Sequence, residues 1–350
     1  MKEKTILLFY SNYSSFVAKD EQILKKKYEV IKYSFQLQKN IFRMIWELVK
    51  QFIFVIRNIW KADVVFSWFS DFYTLLPFVL AKILGKKTIV IVGGYDAVAI
   101  PELNYGLFNK KDVRQLFGTL SFKLSDYILP VDKSLIKSTN YYIDKHGLKV
   151  GVRNYVSNLK AIIKVVPTGY DFKFWKAIPG HRSKSVVAFG FASNMQKFVG
   201  KGHEFLIRIA ERMPDTQFTI IGIDDLIMPY ARSIASENVT LFNSLDQDEL
   251  LYKLSHSKVY ALFSMSEGMP SSLCEAMLMG CVPVGSNVGG IKSIIGDCGF
   301  VLEHQDIDKA VVLVQKALNT SNQMAALGRG RIIDLFPSEL RANELYKIVS

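Results

Sequence analysis

Two glutamates, Glu267 and Glu275, stand in the stretch Ser264-Met265-Ser266-Glu267-Gly268-Met269-Pro270-Ser271-Ser272-Leu273-Cys274-Glu275-Ala276-Met277. Their surroundings suit chemistry on an anionic ligand. The apolar run Val259–Ser264 predicts a buried strand, and Pro270 and Ser271 suit the first positions of a helix. Glu267 then falls in the loop at the strand's carboxyl end. Gly268 permits close approach of backbone, and Met269, Pro270, Ser271 and Ser272 lead into the helix start. A helix start presents unpaired N–H groups and a positive dipole end, which together favour a diphosphate. Glu275 lies about one turn further on, where a carboxylate can accept a pair of vicinal hydroxyls such as a ribose presents. Gly280 ends the helix, Val282–Gly285 predicts the next strand, and Asn287-Val288-Gly289-Gly290 forms a second glycine loop.

These residues need a scaffold, and the chain alternates short apolar runs with helical stretches. In the first half Thr5–Tyr10, Glu29–Phe35, Ala62–Phe69, Lys87–Val92, Tyr127–Val131 and Ile162–Val166 predict strands. Between them Phe16–Lys27, Ile41–Trp60, Phe72–Leu84, Val113–Leu124 and Ser134–Lys145 predict helices. The pattern restarts with strands at Val186–Gly190, Gln217–Gly222, Val239–Asn243, Val259–Ser264, Val282–Gly285 and Phe300–Leu302. Helices are expected at His203–Arg212, Leu226–Ala235, Gln247–Leu254, Ser271–Met279 and Ile307–Leu318. Such alternation implies parallel, doubly wound α/β sheets. Two domains follow, 1–166 and 167–337, with the boundary at the turn-rich Pro167-Thr168-Gly169-Tyr170-Asp171. Residues 338–350 are expected to form a tail helix that packs back towards the first domain. Two such sheets bind ligands beyond their strand ends, in a cleft.

The ordered string Glu267-Gly268-Met269-Pro270, Glu275-Ala276-Met277, Gly280, Pro283-Val284 and Gly289-Gly290 resembles the E-x7-E region of retaining GT-B glycosyltransferases, particularly glycosyltransferase family 4. Pro167–Asp171 resembles the family's interdomain segment. Val187-Ala188-Phe189-Gly190 with Lys201-Gly202 resembles its strand-loop-KG element. Val92-Gly93-Gly94-Tyr95-Asp96 resembles a loop of its first domain. The resemblance implies a GT-B fold, two Rossmann-like domains facing across a cleft, and transfer of a sugar from a nucleotide-sugar donor with retention. It implies that Glu267 hydrogen-bonds the transferred sugar, Glu275 the ribose and Lys201 the diphosphate, while Asp96 is a candidate contact for the acceptor. Phe191 stands where the family usually has an arginine, and Lys197 is the candidate to supply that charge. Many relatives place a histidine near Asp96, and none is present here.

No HExxH, Walker loop or DxD occurs, so neither a metal nor another cofactor is expected, and the nucleotide-sugar is a substrate. The five histidines are scattered, and each suits a surface or structural place better than catalysis. Three cysteines without a CxxC pair, and no signal peptide after Met1, fit a cytoplasmic protein. Charge is uneven. Residues 1–175 hold 27 Lys+Arg against 14 Asp+Glu, a net +13, whereas residues 176–350 hold 17 against 18, a net −1. A basic half points to an anionic partner, and an anionic membrane is favoured over nucleic acid. On a helical wheel Lys39, Arg43, Glu47, Lys50, Arg57 and Lys61 fall within about 80°, and most of the rest is apolar or aromatic, including Trp46. Such a helix either packs as a core element with one wet edge or lies in a lipid interface with its cations on head groups. The charge asymmetry favours the membrane, which places the protein at the inner face and suggests a lipid-linked or cell-surface glycan as acceptor. The alternatives are a non-catalytic GT-B partner that scaffolds another transferase, and a sugar-nucleotide epimerase of GT-B fold.

Overall fold

A computed structural model describes residues 4–38 and 40–350; Met1–Glu3 and Lys39, the first residue of the cationic edge, lie outside the described residues. The chain divides into two compact units, residues 1–138, 149–168 and 339–350 in the first and 139–148 with 169–338 in the second.

The first unit is built on β1 (Thr5–Tyr10), β2 (Glu29–Ser34), β3 (Val64–Trp68), β4 (Lys87–Val92), β5 (Tyr127–Pro130) and β8 (Ile162–Ile163); between the last two the chain forms a hairpin of β6 (Ser138–Asn140) and β7 (Leu148–Val150), whose residues 139–148 belong to the second unit. The six sheet strands run parallel in the order β2-β1-β3-β4-β5-β8. Strands β1 and β3 are buried throughout their length, which is why they read as unbroken apolar runs. Helices α1 (Ser15–Lys25), α2 (Ile41–Asn58), α3 (Leu75–Ile83), α4 (Val113–Leu124) and the short α5 (Val152–Tyr155) connect them.

In the second unit β9 (Ser183–Ala192), β10 (Gln217–Ile223), β11 (Val239–Phe242), β12 (Ser257–Leu262), β13 (Val282–Ser286) and β14 (Phe300–Leu302) make a parallel sheet in the order β11-β10-β9-β12-β13-β14. Its helices are α6 (Met195–Gly200), α7 (His203–Glu211), α8 (Met228–Ile234), α9 (Gln247–His256), α10 (Ser271–Leu278), α11 (Ile291–Ile295), α12 (Ile307–Leu318) and α13 (Asn322–Leu335). The expected doubly wound α/β architecture is thus present twice. Each sheet reverses its direction of growth once, between β1 and β3 in the first and between β9 and β12 in the second. Ligands of such sheets sit beyond the strand carboxyl ends at that reversal.

The last helix, α14 (Ser338–Val349), packs in the first unit through a buried ion pair. Arg341 Nε and Nη2 donate to Asp20 at 2.5 and 2.6 Å, and Nη1 donates to the carbonyls of Val166 and Pro167 at 2.7 and 2.8 Å. Trp68 Nε1 donates to the same carboxylate at 2.9 Å, so the buried charge is both paired and hydrogen-bonded.

Two expectations change. The helix expected over Ser134–Lys145 is a single 3-10 turn at Lys133–Leu135 followed by the β6–β7 hairpin. Ser138, Thr139 and Asn140 compete with helical hydrogen bonds: Asn140 Oδ1 accepts from Tyr142 N at 2.9 Å, and its Nδ2 donates to Met265 O at 3.0 Å. The second change concerns α2. Glu47, expected on the wet cationic edge, is buried, accepting from Tyr33 Oη at 3.1 Å and pairing with Lys50 at 3.0 Å. One turn on, the buried Gln51 donates to Tyr73 O at 2.7 Å, and Val55 and Ile59 continue that inward face. The helix therefore docks by a polar-to-apolar stripe of four-residue spacing and turns its aromatics outwards.

Candidate functional site

The crevice at the β9–β12 reversal is assembled from three loops of the second unit. After β12 the chain passes through Ser264–Pro270 and enters α10 at Ser271. Pro270 is the residue before the helix, in extended conformation, and no side chain caps the α10 N-terminus. The helix start is left for a ligand to satisfy, which is the condition for anion binding there. Glu275 lies one turn along, largely buried. Glu267 accepts from Ser264 Oγ at 2.7 Å and pairs with Lys201 Nζ at 2.7 Å. Lys201 follows α6, so one ion pair joins the β9 side of the crevice to the β12 side.

The second glycine loop is where the sequence placed it, against the first. Gly290 N donates to Gly268 O at 2.8 Å. Gly289 has φ +53°, and a Cβ there would stand 1.9 Å from Glu267 O. No other residue fits while Glu267 keeps its position. On the β9 side Lys197, in α6, is exposed; its Nζ donates to Ser193 Oγ at 3.0 Å and lies 5.8 Å from the centroid of the exposed Phe191 ring. Lys197 thus stands beside the position where an arginine is missing. Ser271 receives a 3.4 Å hydrogen bond from Tyr170 Oη, which ties the turn after Pro167 to the start of α10.

Two supports were not legible in the sequence. His203 is buried, with Nε2 2.8 Å from Gly190 O, so that nitrogen carries the proton. Burial, aided by the charge of Lys201, pushes its pKa down to about 4 and keeps it neutral while it holds the end of β9 at Gly190, next to Phe191. Asn140, from the hairpin, holds Met265 O. A cue for His203 was its place directly after Lys201-Gly202; for Asn140 there was none, because its partner is 125 residues away.

The doubly wound sheets, the uncapped start of α10 and the paired glutamates are what the resemblance to a glycosyltransferase leads one to expect. Residues 187–320 match the family model of Glycosyl transferases group 1. The match lies within the second unit, which carries a group 1 glycosyltransferase region. The chain is 29% identical over 133 residues to the Vi polysaccharide biosynthesis protein VipC/TviE of Salmonella typhi, covering 37% of this chain and 22% of that protein. It is 22% identical over 292 residues to a phosphatidylinositol N-acetylglucosaminyltransferase component of Arabidopsis thaliana, covering 74% of this chain and 61% of that one. The chain therefore spans about a fifth of the first relative and 61% of the second. Among solved structures it is similar to sucrose-phosphate synthase from Thermosynechococcus elongatus, with TM-score 0.73, 14% identity and coverage of 99% and 98% of the two chains. It is also similar to HepE of Anabaena in complex with UDP-glucose, with TM-score 0.72, 12% identity and 98% of each chain covered. At such identities the likeness is one of fold, and that fold is GT-B.

The first unit treats its own candidate residue differently. Asp96 has no exposed surface. Its Oδ1 accepts from Gly93 N at 3.1 Å and Gly94 N at 3.2 Å, and its Oδ2 from Ser70 N at 3.0 Å. Burial raises its pKa to about 7 against the pull of these donors. Asp96 thus clasps the loop after β4 to the loop after β3. In the latter Phe69 takes φ +68°, rare for a bulky side chain, and its ring lies where a Cβ on Gly93 would stand, at 2.4 Å. Next to it Asp71 holds Arg114 Nε at 2.6 Å, and the guanidinium lies 4.9 Å from the Tyr95 ring. No sequence signal marks Asp71 and Arg114. They are 43 residues apart and carry no local motif.

Proposed function

We propose that the chain is a retaining glycosyltransferase that moves a hexose from a nucleoside diphosphate sugar to a lipid-linked or cell-surface glycan. The observation that carries this reading is the crevice in which Glu267, Lys201 and the start of α10 converge, with Glu275 one turn behind. The bond between the sugar's anomeric carbon and the donor phosphate oxygen breaks, a bond from that carbon to an acceptor hydroxyl oxygen forms on the same face, and the hydroxyl proton passes to the departing diphosphate. Negative charge develops on the leaving diphosphate. Lys201 and Lys197, together with the backbone N–H groups entering α10 between Gly268 and Ser272, where Pro270 alone has none, supply positive charge to it. Glu267 orients the sugar, with Lys201 holding its carboxylate until the donor arrives, and Glu275 takes the ribose hydroxyls. Asp96 contributes by positioning the loop after β4 for the acceptor. The test is incubation of the purified chain with UDP-, GDP- and ADP-sugars, following donor release and calorimetric binding. One nucleotide should bind and turn over. Binding of none, or binding without hydrolysis or transfer, sinks the reading and leaves a non-catalytic partner of another transferase.

The place of action follows from α2. Phe42, Trp46 and Trp60 are 78%, 60% and 68% exposed, and Ile41, Ile45, Phe52 and Ile53 are exposed with them. Arg43, Lys50, Arg57 and Lys61 are exposed beside them. An apolar face of this breadth on a helix with exposed cations suits the interface of an anionic membrane, where each basic residue contributes about 1 kcal/mol. No described helix is long and apolar enough to cross a membrane. Co-sedimentation with anionic vesicles should be strong at low salt and retain a salt-resistant part. Replacing Arg43, Lys50 and Arg57 with Glu should abolish most of it. Equal binding by that variant would return α2 to an ordinary surface helix.

A further inference from the structure

At the other end of the second sheet, beneath the amino-terminal edge of β9 and β12, lies a cavity of about 800 Å³ whose lining holds five basic residues and, among the described residues, no carboxylate. The basic residues are His181, Arg182, Lys184, Lys258 and Arg329. They come from distant points of the chain. Two are already committed to main chain: Arg182 Nη1 donates to Leu254 O at 2.9 Å and Ser257 O at 2.7 Å, and Arg329 Nη1 donates to Trp175 O at 2.7 Å. Both also donate to the carboxyl end of α10, Arg182 to Met279 O and Arg329 to Leu278 O.

The lysines are different. Lys258 is 8% exposed, yet the partner of its ammonium among the described residues is a neutral amide oxygen, Asn322 Oδ1, at 3.0 Å. Lys184 likewise meets Asn319 Oδ1 at 3.2 Å. The side chain is thus mostly enclosed while its ammonium faces the cavity, and no carboxylate among the cavity-lining residues balances that charge. Burial, with the charges of Arg182 and Lys184, depresses the Lys258 pKa. The first turn of α13 also lines the cavity through Asn322, Ala325 and Ala326, and no side chain caps that helix. Its positive end adds to the same field. The opposing carbonyl end of α12 is closed on itself, with Asn319 N and Thr320 Oγ1 donating to its last carbonyls.

We propose that this cavity is a second ligand site, separate from the β9–β12 crevice, and that it takes a phosphomonoester of a sugar. The phosphate meets Lys184, Lys258 and the start of α13. The cavity has room for a hexose besides, and the amides of Asn319 and Asn322 are placed to bind its hydroxyls once the lysines turn to phosphate. Lys258 lies at the start of β12 and the donor crevice beyond its end, about 20 Å away at the rise of a strand. One ligand cannot fill both.

Titration calorimetry with glucose 6-phosphate, inorganic phosphate and glucose tests this. Glucose 6-phosphate should bind the wild type and Glu275→Ala alike. It should bind Lys184→Met/Lys258→Met at least tenfold more weakly. Neither methionine leaves a buried charge unpaired, so the double variant should melt at or above the wild-type temperature. Lys184→Gln, at an exposed position, should weaken binding severalfold and is the arm that survives if the double variant does not fold. Absence of binding to the wild type overturns the proposal. So does binding that is lost in Glu275→Ala but kept in the lysine variants, which would place the ligand in the crevice. Inorganic phosphate binding as tightly as the sugar phosphate overturns the assignment of a sugar ligand.

Discussion

In the second unit the reversal of strand order carries a carboxylate in reach of solvent, Glu267, balanced by Lys201 at 2.7 Å beside an uncapped helix. In the first unit the loops at the strand ends carry a carboxylate with no exposed surface, Asp96, beside a phenylalanine in a left-handed conformation. The same architecture thus pairs a carboxylate with a lysine ammonium in one unit and encloses it in backbone N–H groups in the other. The difference teaches that a carboxylate's partners set what it can do. Glu267 is held by a side chain that an anionic ligand could draw away, whereas Asp96 holds two loops together.

The two loop glycines break this comparison most sharply. At Gly289 an alanine Cβ would meet backbone oxygen at 1.9 Å with φ +53°; at Gly93 it would meet the Phe69 ring, a side chain that can move. Gly289→Ala should therefore destabilise by more than about 3 kcal/mol and lose nucleotide binding, while Gly93→Ala should cost roughly 1–3 kcal/mol and keep it. Thermal unfolding with calorimetry decides; equal losses would show that the second loop is as compliant as the first.

Next in size is Glu275→Ala. It should weaken nucleotide binding by roughly 1.5–3 kcal/mol, the cost of leaving ligand hydroxyls without their charged partner, in a protein that stays folded. Asp96→Asn should leave nucleotide affinity unchanged. If Asp96→Asn weakens the nucleotide as much as Glu275→Ala does, the division of roles between the units fails.

Asp96 also predicts a pH dependence. Its folded pKa is about 7, above the usual carboxylate value of about 3.9. Between those two values the folded chain keeps a proton that the unfolded chain has released. The contribution of Asp96 to stability therefore falls as pH rises through this window, by at most about 1.4 kcal/mol per pH unit, and levels off above it. His203, held neutral with a folded pKa of about 4, contributes a slope of opposite sign up to its unfolded value of about 6.5, so the wild-type profile alone is nearly flat there. The difference in unfolding free energy between the wild type and Asp96→Asn isolates the carboxyl, and from pH 4 to 8 it should shift against the wild type with that slope. A difference that stays constant or shifts towards the wild type would mean that the three backbone donors outweigh burial.

The smallest expected effect is none at all. With lysines and helix amides for the diphosphate, turnover should be unchanged by EDTA. Activity that vanishes in EDTA and returns with magnesium or manganese would mean that positive charge from the protein is insufficient in the donor crevice.

What the chain determined locally is legible because its causes are local. Unbroken apolar runs such as Ile6–Phe9 and Val64–Phe66 announce strands covered on both faces, and Gly268, Pro270 and Gly289 mark backbone that must bend or approach closely. From these the two α/β sheets and the Glu267–Glu275 stretch followed. Tertiary structure decided the rest. The composition of α2 allowed nearly any side to face inwards, and only the acceptor at Tyr73 O and the donor at Tyr33 selected Glu47 and Gln51. The stretch after Ser134 had enough apolar residues for a helix, but Asn140 gains more from Met265 O, 125 residues away in the same compact unit, than from a helical turn. Burial of Asp96 and the gathering of Lys184, Lys258 and Arg329 around one cavity depend on side chains far apart in the chain, and no spacing along a sequence encodes a distance that only folding creates.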